Sequence, residues 1–345
     1  MTEFTTLPAG APPGQEAVAA VAEAARRIAA GELVAFPTET VYGLGADASN
    51  DAAVRKIFDA KGRPADHPLI VHVAGVGQVG DYAASVPAFA SRLMQAFWPG
   101  PLTVILPRRP GVAAAAAAGQ DSIGLRCPSH PLALAFLQAC LESGVRGVAG
   151  PSANRFGRVS PTTAAHVRQE FGDALWLLDG GPCSVGIESA IVDCTRGRPV
   201  LLRPGALTRA QLEAACGEAV LEPANAQSDA GVAGEAPRAP GTLAAHYAPN
   251  AKVRLMDAAA IQTALDLLGA DAAHIAIYAR SIVRIRSERV VYRRMPDDAA
   301  AAAQQLFAVL RSFDAQGVKL IWIEPPPASA DWDGVRDRLQ RAAAG

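Results

Sequence analysis

A chain of 345 residues that is half hydrophobic can bury a sizeable core, and two domains of ordinary size are the expected plan. Its 32 basic and 33 acidic residues leave a formal net charge of −1, which excludes a global field pulling the protein onto nucleic acid or membrane, so any anion site must be local. The five cysteines form no C-x-x-C pair, no zinc spacing occurs, and no apolar run is long enough to span a bilayer. The expectation is free thiols in a cytoplasmic protein without membrane association.

Residues 1–14, rich in Pro, Gly and Thr, read as a flexible lead-in. A helix follows over 15–30, with Val18, Val21, Ala25 and Ile28 at helical spacing. The apolar run 33–36 predicts a buried strand that breaks at Pro37 into a turn carrying Thr38, Glu39 and Thr40. Asn50 and Asp51 offer N-caps for a helix with Val54, Ile57 and Phe58 on one face, stopped near Lys61-Gly62-Arg63-Pro64. Residues 69–73 then read as a second strand. Beyond them come a helix with Pro87 in its first turn, a strand over 102–106, an alanine-rich tract over 111–119 with the makings of a short helix, and a strand over 121–127. Another helix (132–141) leads to a strand (145–149) that delivers the chain into Gly150-Pro151-Ser152-Ala153-Asn154. Ser160-Pro161 has the form of an N-cap followed by proline at the first helical position. Strands are expected at 174–178, 187–194 and 199–202, the last ending at Arg203.

Strands and helices without strict alternation argue for a twisted mixed sheet, an open α/β fold, over residues 15–205. A short helix (208–215) and a Pro-, Gly- and Ala-rich stretch form a linker over 206–250. From residue 251 strand and helix alternate, which predicts a small Rossmann-like α/β domain with a largely parallel sheet to residue 345.

Lys61, Arg63 and His67, with the hydroxyls of Thr38 and Thr40, fall near strand ends, where open α/β sheets place ligands. Arginine offers a planar fork for phosphate oxygens and lysine a compact charge, so a nucleoside triphosphate is the first candidate. An arbitrary K-G-R is more often a solvated turn, and a strand histidine such as His72 is as often a hydrogen-bonded structural residue. Ser122, Ser152, Asn154 and Ser160 are small polar groups able to approach a nucleotide closely. For Ser160, helix capping alone is the other reading. No Walker lysine loop, G-x-G-x-x-G or H-E-x-x-H is present, so side chains must supply the counter-charge.

PTETVYGLG (37–45) and KGRPADHPLIVHV (61–73), with GPSAN (150–154), SPT (160–162) and HYAP (246–249), resemble the YrdC-like threonylcarbamoyl-AMP synthases. HYAP points to the two-domain form. The resemblance implies condensation of L-threonine, bicarbonate (or CO2) and ATP into threonylcarbamoyl-adenylate, with Mg2+ carried by ATP. The product would pass to a downstream tRNA threonylcarbamoyl transferase complex.

It also implies that Lys61, Arg63 and His67 hold the ATP phosphates, the first two supplying the catalytic charge. Ser122, Ser152, Asn154, Ser160, Arg203 and Tyr247 match further nucleotide contacts, Tyr247 from a linker lying over the active site. Thr40, His72, Arg126, Gly150 and Ser189 match threonine contacts. Glu39 is the nearest acidic candidate for a metal ligand. Many relatives carry alanine at the position of Gly150, a difference expected to leave its backbone contact intact, and some have a more basic run before HYAP. The alternative from another class is a non-catalytic RNA-binding or regulatory module using the same basic cavity. In it Arg280, Arg284, Arg286, Arg289, Arg293 and Arg294 would touch tRNA weakly, against the plainer reading of a solvated edge.

Overall fold

The computed structural model describes residues 15–226, 229 and 231–345; the lead-in expected over 1–14 lies outside them. The chain divides into two compact units, Met1–Phe156 with Pro161–Thr242, and Gly157–Ser160 with Leu243–Gly345.

In the first unit, α1 (Gln15–Ala29) buries Val21, Ala25 and Ile28, as its spacing predicts, but Val18 remains 55% exposed at the frayed start of the stripe. β1 (Val34–Phe36) leads through the Pro37 turn to β2 (Gly43–Asp47), a strand the sequence reading did not foresee because three of its five residues are glycine or alanine. It forms because β1 pairs with it antiparallel, Val34 opposite Gly45 and Phe36 opposite Gly43. α2 (Asp51–Lys61) starts where expected, the Asn50 side chain accepting the Ala53 N–H at 3.1 Å. It stops at Gly62, whose left-handed φ of 60° lets its amide reach back to the carbonyls of Phe58 and Asp59. β3 (Ile70–His72), α3 (Val79–Tyr82), α4 (Ala88–Phe97), β4 (Leu102–Pro107), β5 (Ser122–Arg126) and α5 (Pro131–Glu142) follow. Pro87 is the N-cap of α4 rather than part of its first turn, and residues 111–119 form turns, not a helix.

β6 (Val148–Ala149), α6 (Ala164–Phe171), β7 (Trp176–Leu177), β8 (Ala190–Asp193), β9 (Val200–Arg203), α7 (Arg209–Cys216) and α8 (Pro223–Ala226) complete the unit. The cap of α6 is Thr163, not Ser160: the Thr163 hydroxyl accepts the His166 N–H, three residues beyond the expected start. The nine strands form one mixed sheet in the order β7-β1-β2-β6-β3-β5-β4-β8-β9.

Because side chains alternate along each strand, the two faces separate cleanly. One face carries Leu44, Val71, Leu102, Val104, Leu125 and Val192 into a core closed by α2, α4 and α7. On the other face Val34, Phe36 and Val148 pack under α1 and α5. Farther along, this second face presents Ile70, Ile105 and Ile191 to Ala239, and the alternate residues His72, Thr103, Ser122 and Arg126 share it.

The second unit is a four-stranded parallel sheet, as expected, built from β10 (Lys252–Leu255), β11 (Ile275–Ala279), β12 (Val291–Arg294) and β13 (Leu320–Ile323) in the order β10-β13-β11-β12. α9 (Ala258–Leu268), α10 (Ala299–Ala315) and α11 (Asp333–Ala343) connect and flank the strands. Gly157–Ser160 belongs here: Arg158 bridges to Ala248, and the Arg311 guanidinium donates to the carbonyls of Val159 and Ser160. Tyr247, with φ of 59°, is buried against Phe307 (5.5 Å between rings) and under the Arg338 guanidinium. No helix of the described residues is long and apolar enough to cross a membrane, and the five cysteines are buried free thiols.

Replacing Asn50 by alanine removes the cap of α2, and the urea unfolding curve is expected to lose about 1 kcal/mol of stability. A midpoint equal to that of the unsubstituted protein would refute this role for Asn50.

Candidate active site

The turn between β1 and β2 is organised by the Thr38 hydroxyl. It donates to the Val41 carbonyl (2.6 Å) and accepts the backbone N–H groups of Thr40 and Val41 (both 3.2 Å). With its proton committed, Thr38 can only accept from Thr40, whose Oγ1 lies 2.9 Å away. Thr40 Oγ1 in turn accepts from Arg126 Nη1 at 2.8 Å. A second lone pair of the buried Thr40 Oγ1 is left over as an acceptor.

Arg126 stands opposite His72 in the β3–β5 register, placing both side chains on one face. His72 is buried, its ring meets Phe36 edge-on at 5.4 Å, and its Nδ1 has no hydrogen-bond partner. Burial first, and the Arg126 charge second, push its pKa down to about 3 against a backbone hydrogen bond at Val148, so the ring is neutral at physiological pH. The Gly150 backbone closes this corner, its amide donating to the Ile70 carbonyl at 2.9 Å. A Cβ at Gly150 would fall 2.9 Å from Phe36 Cζ and 3.0 Å from His72 Nδ1. Alanine, expected to be innocuous, would here press on both rings.

The phosphate-directed candidates gather beside the same β1–β2 turn. Lys61, the last residue of α2 rather than a loop residue, is buried and donates its ammonium to the carbonyls of Ser152 (2.6 Å) and Asn154. Burial first, then the Arg63 charge, depress its pKa well below the usual lysine range, with Glu170 and Glu188 opposing. Arg63 donates to the Pro68 carbonyl at 3.1 Å and lies over the Phe156 ring at 5.6 Å. His67 flanks the same ring at 5.5 Å, and burial, then Arg63, lower its pKa. The segment 150–154 is threaded against the turn, with Leu44 N–H on the Pro151 carbonyl and Ala153 N–H on that of Tyr42.

Ser189 precedes β8, its Oγ 2.8 Å from Thr103 Oγ1. Arg203 donates twice to the Ser189 carbonyl (3.1 and 2.9 Å) and from Nη1 to Pro240 (2.9 Å). The segment around Pro240 is tied down again at Arg238, whose backbone pairs with the Gln120 side chain in both directions. Pro240 and Arg238, with Ile70, Thr103, Ser122 and Gly124, line a shallow cleft on this face.

The structure thus brings Thr40, His72, Arg126 and Gly150 together, and Lys61 with Ser152 and Asn154. Arg63 and His67 share Phe156, and Ser189 joins Arg203. Ser160 and Tyr247 fall in the second unit. Sequence reasoning missed Arg238, which lines the cleft and stands 3.8 Å from Asp66. Thr103, on β4, and Gln120, just before β5, were passed over as well, being common residue types that only the fold marks. Glu39, the metal candidate, instead pairs with Arg126 at 2.6 Å.

A histidine that stays neutral in the fold but titrates near 6.5 when unfolded binds its proton only in the unfolded chain between those values. Its contribution to stability is whole above pH 6.5 and declines as pH falls from there to about 3. His72→Gln should flatten the acid limb of the stability profile by up to about 1.4 kcal/mol per pH unit, the slope of one proton. Identical acid limbs measured by urea unfolding would contradict the neutral, buried ring.

The profile of a family described as "Telomere recombination" (Sua5/YciO/YrdC) matches residues 26–205, and that of "Threonylcarbamoyl-AMP synthase, C-terminal domain" matches 207–344. The chain is 38% identical to a threonylcarbamoyl-AMP synthase of Bacillus subtilis, covering 94% of this chain and 93% of that one. It is 37% identical to one of Pyrococcus abyssi, with 93% of each covered. A solved structure of P. abyssi Sua5 complexed with L-threonine superposes with a TM-score of 0.82 at 35% identity, covering 94% of both chains. With both family profiles matched in order along nearly its whole length, the chain belongs to the two-domain Sua5/YrdC family of threonylcarbamoyl-AMP synthases.

Proposed function

We propose that this enzyme condenses L-threonine, bicarbonate or CO2, and MgATP into threonylcarbamoyl-AMP, releasing pyrophosphate. The observation that carries the reading is the pairing of two unlike sites in one unit. One is a buried arginine beside a neutral histidine and a buried hydroxyl acceptor, suited to an amino acid. The other is the Lys61–Arg63 cluster at residues 150–154, suited to a triphosphate.

Arg126 takes the α-carboxylate of threonine, because a guanidinium fork fixes orientation as well as charge. The amine must be neutral to attack CO2. Its nitrogen forms the N–C bond, loses a proton to solvent, and becomes a carbamate. A neutral His72 and the acceptor face of Thr40 suit N–H donors and add no positive charge to resist that deprotonation. A carbamate oxygen then attacks the α-phosphorus in line, the bond to the bridging oxygen breaks, and pyrophosphate leaves. No side chain becomes a covalent nucleophile. Lys61 and Arg63 act by position and charge, held by backbone carbonyls and Phe156 so that they need no reorganisation. Mg2+ enters as part of the nucleotide substrate.

The product serves the threonylcarbamoyl modification of tRNA through a downstream transferase. Weak tRNA contact by the second unit would fall to the exposed Arg284, Arg286 and Arg293, since Arg280, Arg289 and Arg294 face Glu324, Asp271 and Asp297.

The direct test is chromatographic detection of the adenylate, omitting each substrate in turn. Product is expected only when all three are present. Arg63→Ala should lower threonine- and bicarbonate-dependent pyrophosphate release by at least about a hundredfold, the scale of one transition-state charge contact, while the fold is kept. Unchanged turnover in that variant would remove Arg63 from the mechanism.

A further inference from the structure

Glu39 stands inside the amino-acid site, and the chemistry above gives it no part. It is 4% exposed, and both carboxylate oxygens are engaged. Oε1 accepts from Arg126 Nη2 at 2.6 Å, and Oε2 accepts the Ser129 backbone N–H at 3.0 Å. Ser129 directly precedes His130, the N-cap of α5, so the carboxylate is fixed from the helix side as well as from the sheet. The Glu39 backbone is held too, its carbonyl accepting the Val185 N–H at 2.7 Å.

Arg126 spends its other contacts on Thr40 Oγ1 from Nη1 (2.8 Å) and the Gly100 carbonyl from Nε (3.4 Å). A guanidinium has five N–H groups, so one on each terminal nitrogen is left over. Those two remain available to a substrate α-carboxylate. Turning the guanidinium out of this plane would forfeit the Glu39 bond, which is the shortest of the three and joins opposite charges.

The geometry points to Glu39 as the positioning residue that sets the plane of Arg126 for the substrate α-carboxylate. This rests on the reading of Arg126 as the carboxylate contact. Two effects of the Glu39 charge compete. It repels a second carboxylate, and it holds the arginine where that carboxylate makes two directional bonds. Orientation prevails, because a neutral substitute cannot keep the arrangement. A glutamine amide has one acceptor oxygen, whereas this position faces two donors, Arg126 Nη2–H and Ser129 N–H. Whichever way the amide turns, a donor meets a donor in a buried site.

Calorimetric titration of the full chain with L-threonine and with L-threoninamide, which lacks the carboxylate charge, separates this role from general loosening. The unsubstituted protein is expected to prefer threonine. Glu39→Gln should weaken threonine binding about tenfold or more, shrink the threonine-to-threoninamide preference, and leave ATP affinity within about twofold. Glu39→Asp keeps an acceptor-only carboxylate one methylene shorter and should shrink the preference less. If only one variant folds, its preference decides. A preference that is unchanged or enlarged overturns the role of Glu39, as does equal loss of threonine and threoninamide. Should the unsubstituted protein itself fail to distinguish the two ligands, the reading of Arg126 falls and this inference with it.

Discussion

The first unit must hold several cations out of water. Lys61 and Arg126 are each 3% exposed, Arg203 3% and Arg63 8%, and a bare charge at such depth would be costly. Each is therefore held by oxygen atoms. Lys61 rests on the carbonyls of Ser152 and Asn154, Arg203 on those of Ser189 and Pro240, Arg63 on that of Pro68, and Arg126 on a carboxylate and a hydroxyl. Most of these acceptors are backbone, and backbone oxygens are positioned by the fold. Threading of 150–154 against the β1–β2 turn is thus part of the electrostatics of the site as well as of its packing. The cations are fixed before any ligand arrives, the condition under which a charge stabilises a transition state without reorganising.

The uneven covering of the sheet makes room for this. Among the described residues of this unit, α2, α4 and α7 close one face, and α1 and α5 pack on part of the other. Beyond α1 and α5 on that second face stand His72, Thr103, Ser122 and Arg126, with the segment around Ala239 and Pro240 packed on Ile70, Ile105 and Ile191. The alternation of side chains that builds the apolar core on one face delivers the polar set to the other. Hydrogen-bond polarity then differentiates the site. Thr38 commits its proton to Val41, which turns Thr40 into an acceptor, and burial keeps His72 unprotonated. Cationic donors thus stand beside neutral acceptors in one corner of the fold.

The second unit solves a simpler problem. Helices join β10 to β11 and β12 to β13 while a loop joins β11 to β12, and the interior of the sheet is the apolar run that parallel sheets require. Its less ordinary feature is the inclusion of Gly157–Ser160, four residues gripped by Arg311 and paired with the chain at Ala248. HYAP owes its place to the same packing, with Tyr247 in a left-handed conformation between Phe307 and Arg338.

By itself the sequence determined the elements whose signals are local. These are the amphipathic stripes of α1 and α2, the Asn50 cap, the Gly62 stop, the strand–helix alternation after residue 251, and the clustering of charge in 61–67. Motif resemblance added the family and the candidate residues, because spacing within a short segment survives in the linear chain. Tertiary structure alone decided the rest. β2 is a strand because β1 and β6 pair with it on either side, and Thr163 caps α6 in place of Ser160. Glu39 meets Arg126 across 87 residues, and Arg238 reaches Gln120 across 118. Partners so far apart in sequence are chosen by strand order and register, which arise from the packing of the whole sheet. No local pattern of residues encodes them.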